Sequence, residues 1–415
     1  MKKTNLWFLA LTAAMGGFLF GYDTAVVSGA EQQIQQFFSL SPALHGWVMS
    51  SALWGTVLGA LFGGRITDRF GRKPTLCAIG AFYLISALWS ALAGGSMTLT
   101  VARFIGGLAV GCSSIAAPVY IAEISPASSR GRMTAAFQLN VVLGICVAQF
   151  VNMLIGRGGG PQIWRWMLGA EAVPALLFVI LCPFLVESPR WKEEKGGQLV
   201  REQAVPLTLF FCKASLRPIL IAVAVAFFNQ MSGINAILWF MKRIYMMAGF
   251  TDSVALSLVA LTGVMNAVGT VIGMSLIDRI GRKTLLVIGG TGYVVALFSC
   301  VFAFHAGIGW LATACVILFI LSHAIGQGTV IWVLIAEVFP TATRAQGQAV
   351  GAFTHWIMSA IITLVFPIAA ARFAPEAIFG FFGVMMVLHL LWAIFVVPET
   401  KGRPLEEIKL SGEGQ

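Results

Sequence analysis

The sequence predicts an all-α polytopic membrane protein in which twelve transmembrane helices form two six-helix parallel repeats. Its composition, the length of its apolar segments and an internal repetition support this prediction. The 415 residues are 58% hydrophobic and only 11% charged, whereas a soluble globular domain carries about 25% charged residues. This composition excludes a soluble globular protein.

Twelve apolar segments have roughly the 20 residues that a bilayer-spanning helix needs. An even number of crossings places both termini on one side. Most of the 27 lysines and arginines fall on that side, so the positive-inside rule predicts that both termini are cytoplasmic. Numbered 1 to 12 in chain order, the segments are 6–29, 44–64, 74–94, 97–122, 132–156, 165–186, 218–246, 253–276, 284–304, 310–336, 347–371 and 376–397.

Three charged motifs recur roughly 210 residues apart, after segments 2 and 8, 4 and 10, and 6 and 12. Repeated motifs at one spacing indicate an internal duplication, and parallel repeats of this kind place a transported substrate between the halves near the membrane midplane. The first copies are Asp68–Lys73, Ala122–Pro126 and Glu187–Arg190, and the second are Asp278–Lys283, Ala336–Pro340 and, as a partial match, Glu399–Arg403.

The repeats predict four stretches of chain. They are an N-terminal six-helix half (1–186), a cytoplasmic linker (187–217), a C-terminal six-helix half (218–397) and a cytoplasmic tail (398–415). The linker and the tail are too short for a separate soluble domain.

Three ionisable residues, Asp23, Arg103 and Glu171, fall inside segments of the first half. A charge at membrane depth is costly unless it is paired, hydrated or neutralised, so such residues are functional candidates. Each lies about six residues from the outer end of its segment, or about 9 Å deep at 1.5 Å per residue. We therefore expect Asp23 to pair with Arg103 and Glu171 to lie nearby.

Separating this pair would favour protonation of Asp23, which predicts that the three residues couple protons to transport. A static ion pair that fixes helix packing is the alternative for Asp23 and Arg103. Glu171 could equally serve only to brace helices.

Amide and aromatic side chains inside the segments suit a sugar. Amides donate and accept hydrogen bonds without net charge, and aromatic rings cover apolar faces. Gln230 and Asn235 share a face only if segment 7 is bent or broken, which Gly233 permits, and Gly326-Gln-Gly328 is a similar hinge in segment 10. Interhelical packing is the alternative role. The candidates are Gln138, Asn229, Gln230, Asn235, Asn266, Trp332, His355 and Trp356.

Charges of alternating sign in the repeated motifs predict a cytoplasmic gate. Opposite charges at helix ends can pair with each other and with helix dipoles, and could release as the halves rock. Alternatively they mark topology and fold the loops, each exposed pair contributing about 0–1 kcal/mol. The residues are Asp68, Arg69, Arg72, Glu123, Arg130, Glu187 and Arg190, and Asp278, Arg279, Arg282, Glu337, Arg344, Glu399 and Arg403.

Over nearly its whole length the chain resembles the sugar porter family of the major facilitator superfamily, and it is most similar to bacterial proton-coupled sugar symporters of the xylose type. The motif after segment 2 alone indicates only the superfamily, whereas its combination with Gln230–Asn235 and Pro398–Arg403 is far more specific. The other markers are Gly64–Lys73, Ala122–Ser125 with Arg130-Gly131, Trp164–Trp166 and Glu187–Arg190.

The resemblance implies the major facilitator fold and a secondary active transporter that imports a monosaccharide, pentose or hexose, with a proton by alternating access. It implies that Asp23 and Arg103 carry coupling, since facilitators of the family commonly have a neutral residue in place of the acid. It assigns sugar contacts to Gln138, Gln230, Asn235, Asn266 and Trp332, and aromatic lining and gating to Phe20 and Trp239.

The chain departs from the family pattern at several points. Asn229 stands where relatives have glutamine, Val186 where they have proline, and His355 where they have asparagine or glutamine. The linker is shorter than the set of cytoplasmic helices that relatives carry there. This indicates either a reduced natural variant or a chain from which residues were removed.

Two other functions are compatible with the motifs: a sugar facilitator (uniporter) of the same fold, and a non-transporting sugar sensor, for which the short tail offers little. The sequence shows no phosphate-binding glycine loop, metal-spaced cluster or nucleophile–base arrangement, so we expect neither an enzyme nor a cofactor or metal site. We expect a monomer in a bacterial inner (plasma) membrane, with sugar, proton and lipid bilayer as partners and no nucleic acid.

Overall fold

The computed structural model describes residues 6–126, 129–196, 210–211, 213–340 and 343–401. Within these ranges the chain forms helices and short connections, and twelve stretches are long and apolar enough to cross a membrane. The predicted all-α polytopic class is confirmed.

The helices match the predicted segments in number and order, with three segments broken into shorter helices. Segment 6 comprises α6, α7 and a terminal 3₁₀ turn; segment 7 comprises α9, α10 and α11; segment 10 comprises α14 and α15. The bounds are α1 Leu6–Phe37, α2 Pro42–Phe70, α3 Arg72–Leu92, α4 Ser96–Ile124, α5 Arg130–Gly156, α6 Ile163–Gly169, α7 Ala172–Leu181, α8 Pro189–Lys195, α9 Lys213–Met231, α10 Ile234–Trp239, α11 Met241–Met247, α12 Asp252–Ile280, α13 Arg282–His305, α14 Gly309–Ile325, α15 Gln327–Glu337, α16 Arg344–Arg372 and α17 Pro375–Phe395.

Helix α1 is longer than the sequence predicts. The apolar run ends near Gly29, but the helix continues to Phe37 through the polar stretch that begins with Glu31. Glu31 is fully buried, and Glu31, Gln33 and Gln35 all form side-chain hydrogen bonds within the protein. Hydropathy therefore places the end of the apolar run correctly and the end of the helix wrongly.

The helices of the first half cross at small residues. A Cβ at Gly21 of α1 would meet the main chain of Val141 in α5, and a Cβ at Gly144 of α5 would meet the main chain of Phe18 in α1. The two backbones therefore touch directly, as small residues allow in membrane helices. This contact fixes α1, which carries Asp23, against α5.

The two faces of the bundle differ in how the halves meet. We call the face where α1 begins the N-terminal face and the opposite one the distal face. Helix α2 packs on α16, α5 on α12, and α1 on α10 and α11. The larger apolar core spans both halves, whereas a second core, from Phe210 to Val397, lies within the second half at the N-terminal face. The halves are thus joined towards the distal face.

The linker carries the short helix α8. Ser188 caps its first turn by accepting from the Trp191 amide, and the Trp191 indole donates to the Asp68 carbonyl at 2.9 Å. This helix therefore rests on the first half. The division of the chain at 187–217 stays a prediction.

Candidate functional site

A buried ion pair joins α1 and α4. The Arg103 guanidinium donates through Nη1 to Asp23 Oδ1 at 2.5 Å and through Nη2 to Oδ2 at 3.2 Å. Nη2 also donates to the Asp23 carbonyl oxygen at 3.1 Å. Both side chains are nearly inaccessible, at 4% for Arg103 and 2% for Asp23. The structure therefore brings together the pair expected from the sequence.

Glu171 completes this ionic cluster. It lies at the break between α6 and α7 and is 1% exposed. Its carboxyl interacts electrostatically with Asp23 and Arg103, and its Oε1 has no hydrogen-bond partner among the described residues. The three side chains expected to lie together are thus neighbours.

The expectation that Asp23 lies about six residues from the end of its helix is wrong. It rested on segment 1 ending near residue 29, and α1 in fact continues to Phe37. The pairing survives because Asp23 still faces α4 at the level of Arg103, while the last turns of α1 extend further towards the distal face.

Segment 7 breaks at Gly233, whose φ of 85° is in the left-handed region. The break turns Asn235 back towards Gln230: Asn235 Nδ2 donates to Gln230 Oε1 at 2.6 Å and to Ser359 Oγ at 2.7 Å. Gln230 Nε2 in turn donates to Asn229 Oδ1 at 3.0 Å. The expectation that a broken helix would let the two amides meet is confirmed.

Aromatic rings adjoin these amides. The His355 ring lies 3.3 Å from Gln230 Nε2 and 5.0 Å, centroid to centroid, from Trp332. Its neighbour Trp356 contacts Phe20 of the first half, with ring centroids 5.6 Å apart. Phe20 lies one turn before Asp23 on α1. The amide–aromatic cluster of the second half thus approaches the ionic cluster of the first.

The three other sugar candidates lie on α5, α12 and α10. Gln138 is half-buried on α5, Asn266 is 8% exposed on α12, and Trp239 is 1% exposed at the end of α10. Trp239 Nε1 has no acceptor among the described residues. Their contact with a sugar stays a prediction.

The charged motifs of the first half form one compact cluster at the N-terminal face. Arg72 donates through Nε and Nη2 to the two Glu123 oxygens, at 2.9 and 2.7 Å, and pairs with Asp68 at 3.3 Å. Glu187 accepts from the Arg72 and Lys73 amides at 2.9 and 3.2 Å. It thereby ties the end of segment 6 to the start of α3.

The second half repeats this cluster. Arg282 donates to both Glu337 oxygens at 3.1 and 2.9 Å and pairs with Asp278 at 3.0 Å. Glu399 accepts from the Arg282 and Lys283 amides at 3.0 and 3.1 Å. Each of these pairs lies within one half.

The remaining gate candidates are more peripheral. Arg69 lies over the Phe70 ring, Arg190 pairs with Glu194 on α8, and the Arg279 carbonyl accepts from Lys401. Arg344 is half-buried at the start of α16, as Arg130 starts α5. Arg403 lies outside the described residues.

Sequence reasoning missed a second buried ionic group, at the distal end of α1. Glu31 bonds to His45 of α2 at 2.9 Å and to Arg243 of α11 at 2.7 and 3.0 Å. One signal was available: Glu31 and His45 stand at equal distances before and after residue 38, so an antiparallel α1–α2 hairpin places them level. The sequence analysis did not single out Arg243. Ser359, which binds Asn235, was also missed.

Comparison with known proteins agrees with this architecture. A family model described as "Sugar (and other) transporter" matches residues 9–205 and 192–411. The arabinose-proton symporter of Bacillus subtilis (strain 168) is 32% identical over 434 residues, which cover 97% of this chain and 94% of that protein. The D-xylose-proton symporter of Escherichia coli (strain K12) is 31% identical over 474 residues, which cover 98% and 96%.

Solved structures match equally well. The inward open conformation of the xylose transporter XylE from E. coli has a TM-score of 0.86 at 31% identity, covering 97% of this chain and 99% of that one. Its partially occluded inward open conformation has a TM-score of 0.84 at 29% identity. The resemblance drawn from the motifs is confirmed: the chain belongs to the sugar (and other) transporter family and is a membrane transporter of the major facilitator fold.

Proposed function

We propose that this transporter imports a monosaccharide, pentose or hexose, together with a proton by alternating access. The observation that carries the proposal is the buried Asp23–Arg103 pair with Glu171 beside it. Asp23 lies on the same helix as Phe20, which contacts the amide–aromatic cluster. A proton site and a sugar site are thereby linked through α1. The relatives named as proton symporters for arabinose and xylose support the same reading.

The ionic cluster can hold one exchangeable proton. An ionised carboxylate that is buried without a donor costs several kcal/mol, so we assign the proton to Glu171 while Arg103 holds Asp23 as its counter-ion. If the halves rock and Arg103 moves away, Asp23 loses that counter-ion and becomes the favoured proton acceptor. Protonation would thus follow the conformation of the first half.

The amide cluster can bind sugar hydroxyls by exchanging partners. Asn235 bonds to Gln230 and to Ser359, so these amides have hydrogen-bond partners within the protein. A sugar would replace these bonds with bonds to its hydroxyls, each contributing about 0.5–1.5 kcal/mol net. The rings of Trp332, Trp356 and Phe20 would cover its apolar faces.

The direction of access follows from the closed distal face and the positive-inside rule. With both termini in the cytoplasm of a bacterium, the distal face is periplasmic and the site opens towards the cytoplasm. We propose that the charged clusters at the N-terminal face hold each half rigid, and that their outer members, including Arg190 and Arg344, contact the other half when this face closes. We further propose that the carrier works as a monomer in the inner membrane and has no nucleic-acid partner.

Proteoliposomes with an imposed inside-alkaline proton gradient and no ATP test the proposal. Uptake of labelled xylose, arabinose, glucose and galactose is followed for the native chain and for Asp23→Asn. We expect at least one sugar to accumulate above its equilibrium level in the native protein. Asp23→Asn should abolish accumulation, about a hundredfold loss, and still exchange sugar across the membrane, because the neutral side chain no longer binds and releases a proton.

Asp252→Asn is the matched control, since Asp252 is 52% exposed and pairs with Lys242 at the distal face. It should accumulate sugar like the native chain. Equilibration that ignores the gradient in all three proteins would identify a facilitator and contradict coupling through Asp23. Sugar binding without movement would identify a sensor.

A further inference from the structure

The second buried ionic group bridges the two halves of the protein. Glu31 of α1 and His45 of α2 belong to the first half, and Arg243 of α11 belongs to the second. Glu31 and His45 are both 0% exposed, and Arg243 is 17% exposed. Arg243 Nη2 also donates to Gln35 Oε1 at 2.5 Å. Among the pairs described above, this one crosses between the halves, whereas Asp23–Arg103 and the charged motifs do not.

The Glu31 carboxylate is bound by both Arg243 and His45. Arg243 reaches both Glu31 oxygens through Nε and Nη2, the bidentate geometry that makes Arg–carboxylate pairs strong and directional. Because Arg243 keeps Glu31 as an acceptor, His45 Nε2 donates the third bond. The Glu31 carboxylate, on α1, therefore accepts hydrogen bonds from two other helices, α2 and α11.

Apolar contacts surround the group. Phe240, next to the start of α11, stacks on Phe366 of α16 with centroids 4.8 Å apart and meets the His45 ring edge-on at 6.0 Å. Beside His45, a Cβ at Gly46 would meet the Leu364 main chain of α16. The ionic group thus lies inside a tight, water-excluding contact where α1 and α2 meet α11 and α16.

Opening the distal face requires this contact to separate. The two backbones at Gly46 and Leu364 leave no room for a solute, and Arg243 would have to leave both Glu31 oxygens. A buried ion pair is costly to break when only one partner is taken away, but water can replace each partner once the face has opened. The pair therefore favours the closed state and can still be released in each cycle.

We propose that Glu31, His45 and Arg243 form a distal latch that holds α11 over the substrate site during the inward-facing part of the cycle. In transport they are positioning residues: they act on the position of the broken segment 7, which carries Gln230 and Asn235 before Arg243. This inference rests on the proposed alternating-access function. It assigns the closure of the distal face to these three residues.

The test measures the distance between the halves. Spin labels are placed at two exposed positions on the distal face, Gln162→Cys in the first half and Ala374→Cys in the second, in a background whose seven native cysteines are replaced. Double electron–electron resonance in nanodiscs then reports closed and open populations without sugar. We expect Glu31→Gln to raise the open-to-closed ratio about tenfold, and His45→Gln to raise it less.

Asp252→Asn in the same background is the matched control, because it breaks an ion pair of similar length, 2.6 Å to Lys242, that lies within the second half. It should leave the distances unchanged. A Glu31→Gln distribution identical to that of the parent overturns the latch, and so does an equal shift in both variants. If Glu31→Gln does not fold, the double variant Glu31→Gln/Arg243→Gln, which leaves no unpaired charge, is judged by the same outcomes. The spin-label distances are measured without transport. They therefore test the latch even if the protein fails to accumulate sugar.

Discussion

The two halves of this protein are alike at the N-terminal face and different in the interior. At that face Arg72, Glu123 and Glu187 make the same bonds as Arg282, Glu337 and Glu399, with equivalent distances agreeing within a few tenths of an ångström. In the interior the first half carries an ionic cluster around Asp23, and the second carries amides and rings around Gln230.

The likeness and the difference have separate physical reasons. Both halves must hold three helix ends together at the N-terminal face, and a bidentate arginine between two carboxylates does this in either half. A proton site needs ionisable groups away from water, whereas a sugar site needs neutral donors and acceptors. The two halves therefore keep the same residues at the N-terminal face, where both do the same task. Their interior residues differ because, as we propose, one half binds the proton and the other the sugar.

The largest effect should come from breaking the interior ion pair. Arg103→Gln leaves Asp23 buried without its counter-ion, which should cost about 3–5 kcal/mol of stability. Adding Asp23→Asn should recover most of that loss, because no buried charge is then unpaired. Thermal unfolding in detergent measures both variants. Equal destabilisation of the single and double variants would contradict an energetic pairing of the two residues.

The repeated arginines should differ in the cost of their loss. Arg72 is 5% exposed and Glu123 9%, whereas Arg282 is 11% exposed and Glu337 23%. Removing the arginine leaves its carboxylate partners without a counter-ion, which costs more stability where they are less exposed to solvent. Arg72→Gln should therefore cost about 2–4 kcal/mol of folding stability and Arg282→Gln about 1–2 kcal/mol. Melting curves of the two variants, compared side by side, test this order. A reversed order would show that burial does not decide the strength of these clusters.

In the second half, Gln230→Ala should weaken sugar binding without removing coupling. It deletes an amide that bonds to Asn235 and approaches His355, a loss of about 1–3 kcal/mol, or roughly tenfold to a hundredfold in half-saturation. Uptake kinetics under the same proton gradient give this value. Gln346→Ala, on the N-terminal part of α16, is the control amide and should leave half-saturation unchanged. Loss of the proton dependence in Gln230→Ala would contradict the division of tasks between the halves.

The smallest effect should come from the outermost carboxylates of the repeated clusters. Asp278 is 81% exposed and Asp68 35% exposed in their pairs with arginine. Asp278→Asn should change stability by about 0–0.5 kcal/mol and Asp68→Asn by up to about 1 kcal/mol, since solvent screens the more exposed pair. Unfolding temperatures measured in low and high salt should separate them. A larger loss for Asp278→Asn would point to a role outside its own cluster.

Local chemistry made much of this structure predictable. Hydropathy placed twelve segments, Gly233 and Gly326 marked two of the helix breaks, and the shared level of Asp23 and Arg103 followed from the order of crossings. The end of α1 was missed because polar residues are helical there, and hydropathy does not distinguish a buried polar turn from a loop. The partner of Glu31 was missed because contacts between halves depend on the conformation that the transporter adopts.

The unusual length of α1 has a consequence for how the protein responds to its surroundings. Its 32 residues extend about 48 Å at 1.5 Å per residue, well beyond the roughly 30 Å of a hydrocarbon core. Asp23 and Glu31 are both buried, with side chains 2% and 0% exposed, but Glu31 lies nearer the distal end of α1, which ions reach once that face opens. Salt on the distal side, which screens exposed charges within about 8–10 Å, should then ease the separation of Glu31 from Arg243 and leave the Asp23–Arg103 pair unaffected.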